Sequence, residues 1–103
     1  MFGDMIGNMQ AQQEAMRQKL TTIELEAEAG DGAVVVSGTA AREITGIKFD
    51  PEKINPADTD QLEDLLIVAM NGFMEMVAEV EGEESQKMLN DLLPPGLAGM
   101  FGG

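Results

Sequence analysis

The sequence contains no cysteine, histidine, tryptophan or tyrosine, and its aromatic residues are four phenylalanines. Without cysteine or histidine, the chain cannot form disulfides, thiolate or imidazole zinc sites, or catalytic sites that depend on either side chain. With so few aromatic rings, it also has little on which nucleic-acid bases could stack. These absences exclude many familiar classes of enzyme and metalloprotein.

Basic residues are also scarce. Six Lys and Arg stand against 19 Asp and Glu, which gives a net charge of −13 over 103 residues. The overall field of such a protein repels nucleic acid and anionic membranes, so any contact with them must come from a local basic patch. The charge is uneven, because residues 1–22 sum to zero whereas residues 57–103 carry a net charge of −9. The N-terminal segment therefore repels anions least.

Long apolar runs are missing as well. The longest surrounds Leu65–Met70, far short of the ~20 residues that a membrane span needs. The first residues lack the basic segment and apolar core of a secretory signal, so we expect a cytoplasmic protein. The hydrophobic content of 44% is sufficient for the core of one ordinary domain.

The first block of the sequence, from about Asp4 to Thr22, has a narrow apolar seam at helical spacing. The residues between are mostly Gln, Glu, Arg, Lys and Ala, which favour helices. The seam is too thin and too short for a stable lone helix, so we expect it to pack against this chain or against a second copy. Its members are Met5, Met9, Met16, Leu20 and Ile23.

The second block, residues 23–50, predicts three antiparallel strands. IELEAEA alternates between apolar residues and glutamates, as a half-buried strand does, and Gly30–Gly32 follows as a hairpin turn. AVVVSGTA is a second, more buried strand, and EITGIKF is a third that ends at Asp50-Pro51. In the third strand, simple alternation predicts two faces: Thr45, Ile47 and Phe49 on one, and Ile44, Gly46 and Lys48 on the other.

The third block, residues 58–93, carries the strongest amphipathic pattern of the chain. Asp58 or Thr59 can cap a helix, and apolar residues recur every three or four positions as far as Val80. We expect this helix to cover the sheet. Gly82 interrupts the pattern, which leaves open whether the block forms one helix or two.

Together the blocks predict an α+β fold with the order α-β-β-β-α and a three-stranded antiparallel meander. The expected division is a single domain over residues 1–96 and a flexible tail over residues 97–103. Within the domain we expect a helical arm (1–22), the sheet (23–50) and a C-terminal helix or helices (58–93).

Neither catalysis nor metal binding finds support in the residue pattern. The glutamates of the first strand are typical of a solvated face, and the acidic run 79–84 lacks the alternating ligands and central glycine of a calcium loop. Methionines at helical spacing can ligate Cu(I), but they more often serve as adaptable packing. We predict no catalytic residue, no metal site and no cofactor.

Contact with nucleic acid would depend on few side chains. Arg17 and Lys19 flank the methionine seam, and Lys87 lies on the last helix. Taken alone, these are ordinary surface residues. A symmetric dimer doubles each contact and spaces two weak patches along a duplex, which would give phosphate-based, salt-dependent binding with little base recognition.

Four segments spread over nearly the whole chain form a set. They are Met1-Phe2-Gly3 with the Met- and Gln-rich Met9–Gln13, the Gly-Asp-Gly hairpin that leads into AVVVSGTA and then Asp50-Pro51, the helix start Leu62–Leu66, and Leu93–Gly96. In this order and spacing they resemble the YbaB/EbfC family of bacterial nucleoid-associated proteins.

This resemblance implies an intertwined, tweezer-like homodimer in which two sheets join at the centre and the first and last helices project as arms. It implies binding of duplex DNA with loose sequence preference, and a role in nucleoid organisation or gene expression. The residues that it marks for DNA binding are Arg17, Lys19 and Lys87. Those expected at the dimer interface are Met5, Met9, Met16, Leu20 and Val35.

Two hypotheses follow. The first is a non-enzymatic, nucleoid-associated homodimer that binds duplex DNA through phosphate contacts. The alternative is an acidic, dimeric protein-interaction module with weak or no DNA binding, whose carboxylates or methionines bind a protein partner.

Overall fold

The computed structural model describes residues 2–92, with side chains from Asp4 onward. Its elements are α1 (Phe2–Thr21), β1 (Glu24–Ala29), β2 (Val34–Thr39), β3 (Glu43–Phe49) and α2 (Thr59–Leu92). The strands form one antiparallel sheet in the order β1-β2-β3. The predicted α+β fold and its α-β-β-β-α order are confirmed. Met1 and residues 93–103, with the predicted tail, lie outside the described residues.

The β1–β2 hairpin follows directly from its sequence. Gly30, Asp31 and Gly32 all have positive φ, at 64°, 54° and 87°, a conformation that glycine and aspartate tolerate best. The glutamates of β1 are exposed, whereas Ala27 and Ala29 are buried opposite β2. The strict alternation in this strand therefore marked the solvent face and the core face correctly.

Helix α2 covers the sheet over β1 and β2. Its cap is Asp58, whose Oδ1 accepts a hydrogen bond from the backbone N–H of Gln61 at 3.1 Å. The helix buries three side chains against the buried valines of β2, namely Ala69, Phe73 and Val77. It runs without interruption through Gly82, so the C-terminal block is one helix as far as Leu92.

Strand β3 is left largely uncovered, and its faces differ from the simple alternation. A β-bulge in the β2–β3 ladder gives β3 one extra residue, which places Ile44 on the same face as Ile47 and Phe49. The prediction that Ile44 points the other way is wrong, because a bulge resets the two-residue period. Ile44, Ile47 and Phe49, here called the β3 apolar row, are 42%, 42% and 43% exposed.

Helix α1 packs against the C-terminal part of α2. A helix of 34 residues is about 50 Å long, whereas a six-residue strand spans about 20 Å, so α2 continues past the sheet. We call α1 together with residues 81–92 of α2 the helical arm. The longest dimension of the subunit is 62 Å. Neither helix, over the residues described, is apolar enough along its length to cross a membrane.

Candidate nucleic-acid interface

The structure brings two of the three predicted DNA-binding residues to one carboxylate. On α1, the Lys19 Nζ lies 2.5 Å from Oε2 of Glu84, and on α2 the Lys87 Nζ lies 3.3 Å from Oε1 of the same residue. The lysine side chains remain 55% and 65% exposed, whereas the Glu84 side chain is 8% exposed. Lys19 and Lys87 thus form a cationic pair at the surface of the arm, with an anion beneath them.

The position of Glu84 follows from how the two helices meet. Leu20, at the C-terminal end of α1, is buried at the base of the arm, and Met16 and Met88 line the groove between the helices beyond it. Glu84 lies on the face of α2 that α1 covers, where its carboxylate is shielded from water. A shielded carboxylate needs a counter-charge, and Lys19 supplies one from the opposite helix.

The ionisation of Glu84 is set by these neighbours. The contact with the Lys19 ammonium lowers the pKa of the Glu84 carboxyl below its ordinary value of 4.5; loss of hydration acts in the opposite direction, and Lys87 lowers the pKa further. Glu84 is therefore ionised at neutral pH. The group of one carboxylate and two ammonium ions carries a single net positive charge.

Arg17 stands apart from this group. It is exposed on α1 and has no salt bridge to any part of the chain that the structure describes. Residues two positions apart on a helix do not share a face, so Arg17 and Lys19 point in different directions. The arm offers a paired lysine site and, separately, one unpaired guanidinium.

A third basic residue, Arg42, is neutralised by an ion pair that could not be predicted from the sequence. Arg42, in the β2–β3 turn with φ of 68°, donates two hydrogen bonds to the Glu81 carboxylate, at 2.8 Å and 2.9 Å. The hydrogen bond from Arg42 lowers the pKa of Glu81, and Glu81 in turn raises the pKa of Arg42. This pair ties the β2–β3 turn to the start of the arm.

The residues predicted for a dimer interface fall into different surroundings. Met5 and Met9 are 62% and 58% exposed on the outer part of α1, and Met16 is half-buried in the arm. Leu20 is already buried inside the subunit, and Val35 is half-buried on β2. The outer methionines are therefore the members of this set that remain most open to a partner.

The β3 apolar row is a further exposed apolar surface, and it was not among the residues predicted for a dimer interface. Ile44 lines a groove with the α2 residues Met70, Phe73 and Met74, and the outer edge of β3 has no neighbouring strand within residues 2–92. The row could not be predicted from the sequence, because simple alternation without the bulge places Ile44 on the opposite face of β3.

Possible metal ligands are not clustered. Over the residues that the structure describes, no three acidic side chains come close enough to hold a metal ion. The glutamates of β1 stand on the exposed face, where Glu26 accepts a hydrogen bond from the Ser37 hydroxyl at 3.3 Å.

The fold and the site define a small α+β protein whose predicted DNA-contacting basic residues lie on a helical arm. The model of the YbaB/EbfC DNA-binding family matches residues 1–92. The chain belongs to this family, as the resemblance in its sequence indicated.

Relatives named as nucleoid-associated proteins align with most of the chain. A nucleoid-associated protein of Granulibacter bethesdensis is 37% identical over 90 residues, which cover 86% of this chain and 84% of that protein. A nucleoid-associated protein of Chloroflexus aggregans is 34% identical over 97 residues, which cover 94% and 92%. These matches extend over sheet and arm alike.

A solved structure shares the fold. The crystal structure of an uncharacterized protein from Helicobacter pylori superposes with a TM-score of 0.73 at 20% identity, and the match covers 85% of this chain and 92% of that one. At this identity the likeness concerns the fold alone.

Proposed function

We propose that this chain is a non-enzymatic, nucleoid-associated protein that binds duplex DNA as a homodimer with loose sequence preference. Its place in the cell would be the cytoplasm, on the nucleoid, where binding affects nucleoid organisation or gene expression. The family to which the chain belongs supports DNA as the ligand. The names of the two relatives support the nucleoid as the location.

The observation that carries the proposal is the distribution of charge on the arm. Arg17, Lys19 and Lys87 are all exposed there, and α1, which carries two of them, has no net charge in a chain whose total is −13. Exposed Arg and Lys side chains contact phosphate oxygens without reading bases. Binding is then electrostatic, loose in sequence preference and strongly dependent on salt.

A second copy supplies what one arm lacks. Three cations are few for a stable complex with DNA, and two-fold symmetry doubles them. The β3 apolar row and the outer methionines are the exposed apolar surfaces that support dimer formation. Antiparallel pairing of two β3 edges would also bring Glu43 of one copy towards Lys48 of the other, because these residues stand at opposite ends of the strand.

Fluorescence anisotropy with a labelled duplex tests the proposal. The variant Arg17→Glu/Lys19→Glu should lose most of the wild-type affinity at about 50 mM salt, because each reversal replaces a phosphate contact by repulsion. The single variants Arg17→Glu and Lys53→Glu form the matched comparison: each changes the net charge from −13 to −15, and Lys53→Glu, which lies away from the arm and from β3, should keep much more of the affinity. Equal losses in the two single variants, or no binding by the wild type, would contradict the proposal.

A second candidate function is supported by the ion pairs. Lys19, Lys87 and Arg42 already contact carboxylates of their own chain, which leaves few unpaired cations on a body of net charge −13. Such a surface suits a basic protein partner. Retention of one specific basic protein from nuclease-treated lysate, together with absent DNA binding, would favour this interaction module.

A further inference from the structure

Two ammonium groups from different helices meet one carboxylate at the arm. The Nζ atoms of Lys19 and Lys87 lie 2.5 Å and 3.3 Å from opposite oxygens of Glu84. Two converging, exposed ammonium groups are the arrangement that binds an oxyanion such as a phosphate group. In this structure the oxyanion is supplied by the protein itself.

The geometry leaves room for an external phosphate. An ammonium ion has three N–H donors, and Glu84 engages each lysine from beneath, while more than half of each lysine side chain faces solvent. A phosphate arriving from solvent can therefore contact both ammonium groups. It does so only a few ångströms from the negative charge of Glu84, and it competes with Glu84 for the same two cations.

We propose that Lys19 and Lys87 form a phosphate subsite of the helical arm and that Glu84 is a built-in competitor that weakens the binding of nucleic-acid phosphate there. This inference rests on the proposed function for the identity of the ligand. It assigns to Glu84 a role in setting affinity that neither the family nor the names of the relatives state. The arm then binds DNA less tightly than its lysines would allow, which favours exchange over permanent occupation.

The size of the effect follows from the spacing. With the full dielectric constant of water and a separation of about 5 Å, removal of one unit charge changes the affinity for a phosphate about fourfold. This is a lower bound, because Glu84 is shielded from water. If both arms of a dimer contact the same duplex, the two changes multiply, to as much as about 16-fold. Added salt reduces the effect because the subsite faces solvent.

The experiment compares Glu84→Gln with Glu83→Gln. Both substitutions change the net charge from −13 to −12, but Glu83 is exposed and has no ion pair within the described residues. In anisotropy with duplex DNA at low salt, Glu84→Gln should tighten binding about fourfold or more, and Glu83→Gln should change it less than twofold. Adding Lys19→Gln and Lys87→Gln to Glu84→Gln should abolish the gain.

A second variant keeps the proposal testable if Glu84→Gln loosens the packing of α1 on α2. Glu84→Asp preserves the net charge of −13 and withdraws the carboxylate from the lysines by one methylene. Glu84→Asp should also tighten DNA binding, but by less than Glu84→Gln does. Circular dichroism at 222 nm verifies that each variant keeps its helices.

Inorganic tripolyphosphate provides a probe that is independent of DNA. Its binding, measured by calorimetry, should be tighter to Glu84→Gln than to Glu83→Gln. If no variant binds DNA but this difference appears, the proposed function fails and the phosphate subsite stands. Equal DNA affinities of the Glu84 and Glu83 variants, or weaker binding by a folded Glu84→Gln protein, overturn the subsite.

Discussion

Substitution of Gly38 by alanine should destabilise the fold severely. A Cβ atom at this position would collide with the backbone carbonyl oxygen of Glu43 and lie 2.6 Å from Cζ of Phe73. The carbonyl belongs to the β2–β3 ladder and cannot retreat without loss of strand pairing, and Phe73 is 2% exposed in the core. Movement of the Glu43 carbonyl costs strand pairing, and movement of the Phe73 ring costs core packing, so the fold loses stability in either case.

The expected magnitude is about 3 kcal/mol, the upper part of the usual range for an overpacked core. For a domain of this size, that corresponds to a decrease in melting temperature of about 10–20 °C. Thermal unfolding followed by circular dichroism measures it, at a fixed protein concentration because dimer formation would shift the midpoint.

The matched control is Gly46→Ala, also in a strand, where an added Cβ meets nothing within 4 Å. Alanine there should be neutral or stabilise the strand by up to about 1 kcal/mol. A Gly38→Ala protein that melts within about 2 °C of the wild type, well under 1 kcal/mol, would refute the packing of Phe73 against β2 described above.

Three further predictions concern the arm and the sheet edge. Gly82→Ala should raise the free energy of unfolding by up to about 1 kcal/mol in urea denaturation, because Gly82 lies inside a continuous helix and an added Cβ has open space; a loss of stability would indicate a bend there. Since Lys19 lowers the pKa of Glu84, their contact should stabilise the arm fully above about pH 4.5 and less as the pH falls through the lowered pKa; helicity against pH should show this decline, and Glu84→Gln should reduce it. Ile47→Ser/Phe49→Ser should convert the proposed dimer to monomer in analytical ultracentrifugation, and an unchanged mass would place the interface elsewhere.

Elements with a local periodic signal could be predicted closely from the sequence. The alternation of alanine and glutamate in β1 predicted which of its residues are buried and roughly where the strand begins and ends. Pro51 was predicted to end β3, and it lies just beyond the last residue of that strand. Asp58 was one of two predicted caps, with Thr59, and is the observed one. In each case the residues that decide the structure are neighbours in the chain.

Features that depend on distant contacts could not be predicted in this way. The partners Arg42 and Glu81 are 39 positions apart, and nothing in the spacing of either indicates the other. Lys19 and Lys87 were selected as basic residues of the arm, but their shared contact with Glu84 exists only once α1 has packed on α2. The β3 bulge, which redirects Ile44, likewise has no marker in the alternation of EITGIKF.

The salt dependence of DNA binding is the most direct test of the arm as the DNA-contacting element. If both arms of a dimer engage phosphates through Arg17, Lys19 and Lys87, a plot of log K against log salt should have a slope between about −2, for the arginines alone, and about −5, for all six cations. Arg17→Gln should make the slope less steep by about 2. A slope unchanged by Arg17→Gln, or no binding at about 50 mM salt, would contradict the account.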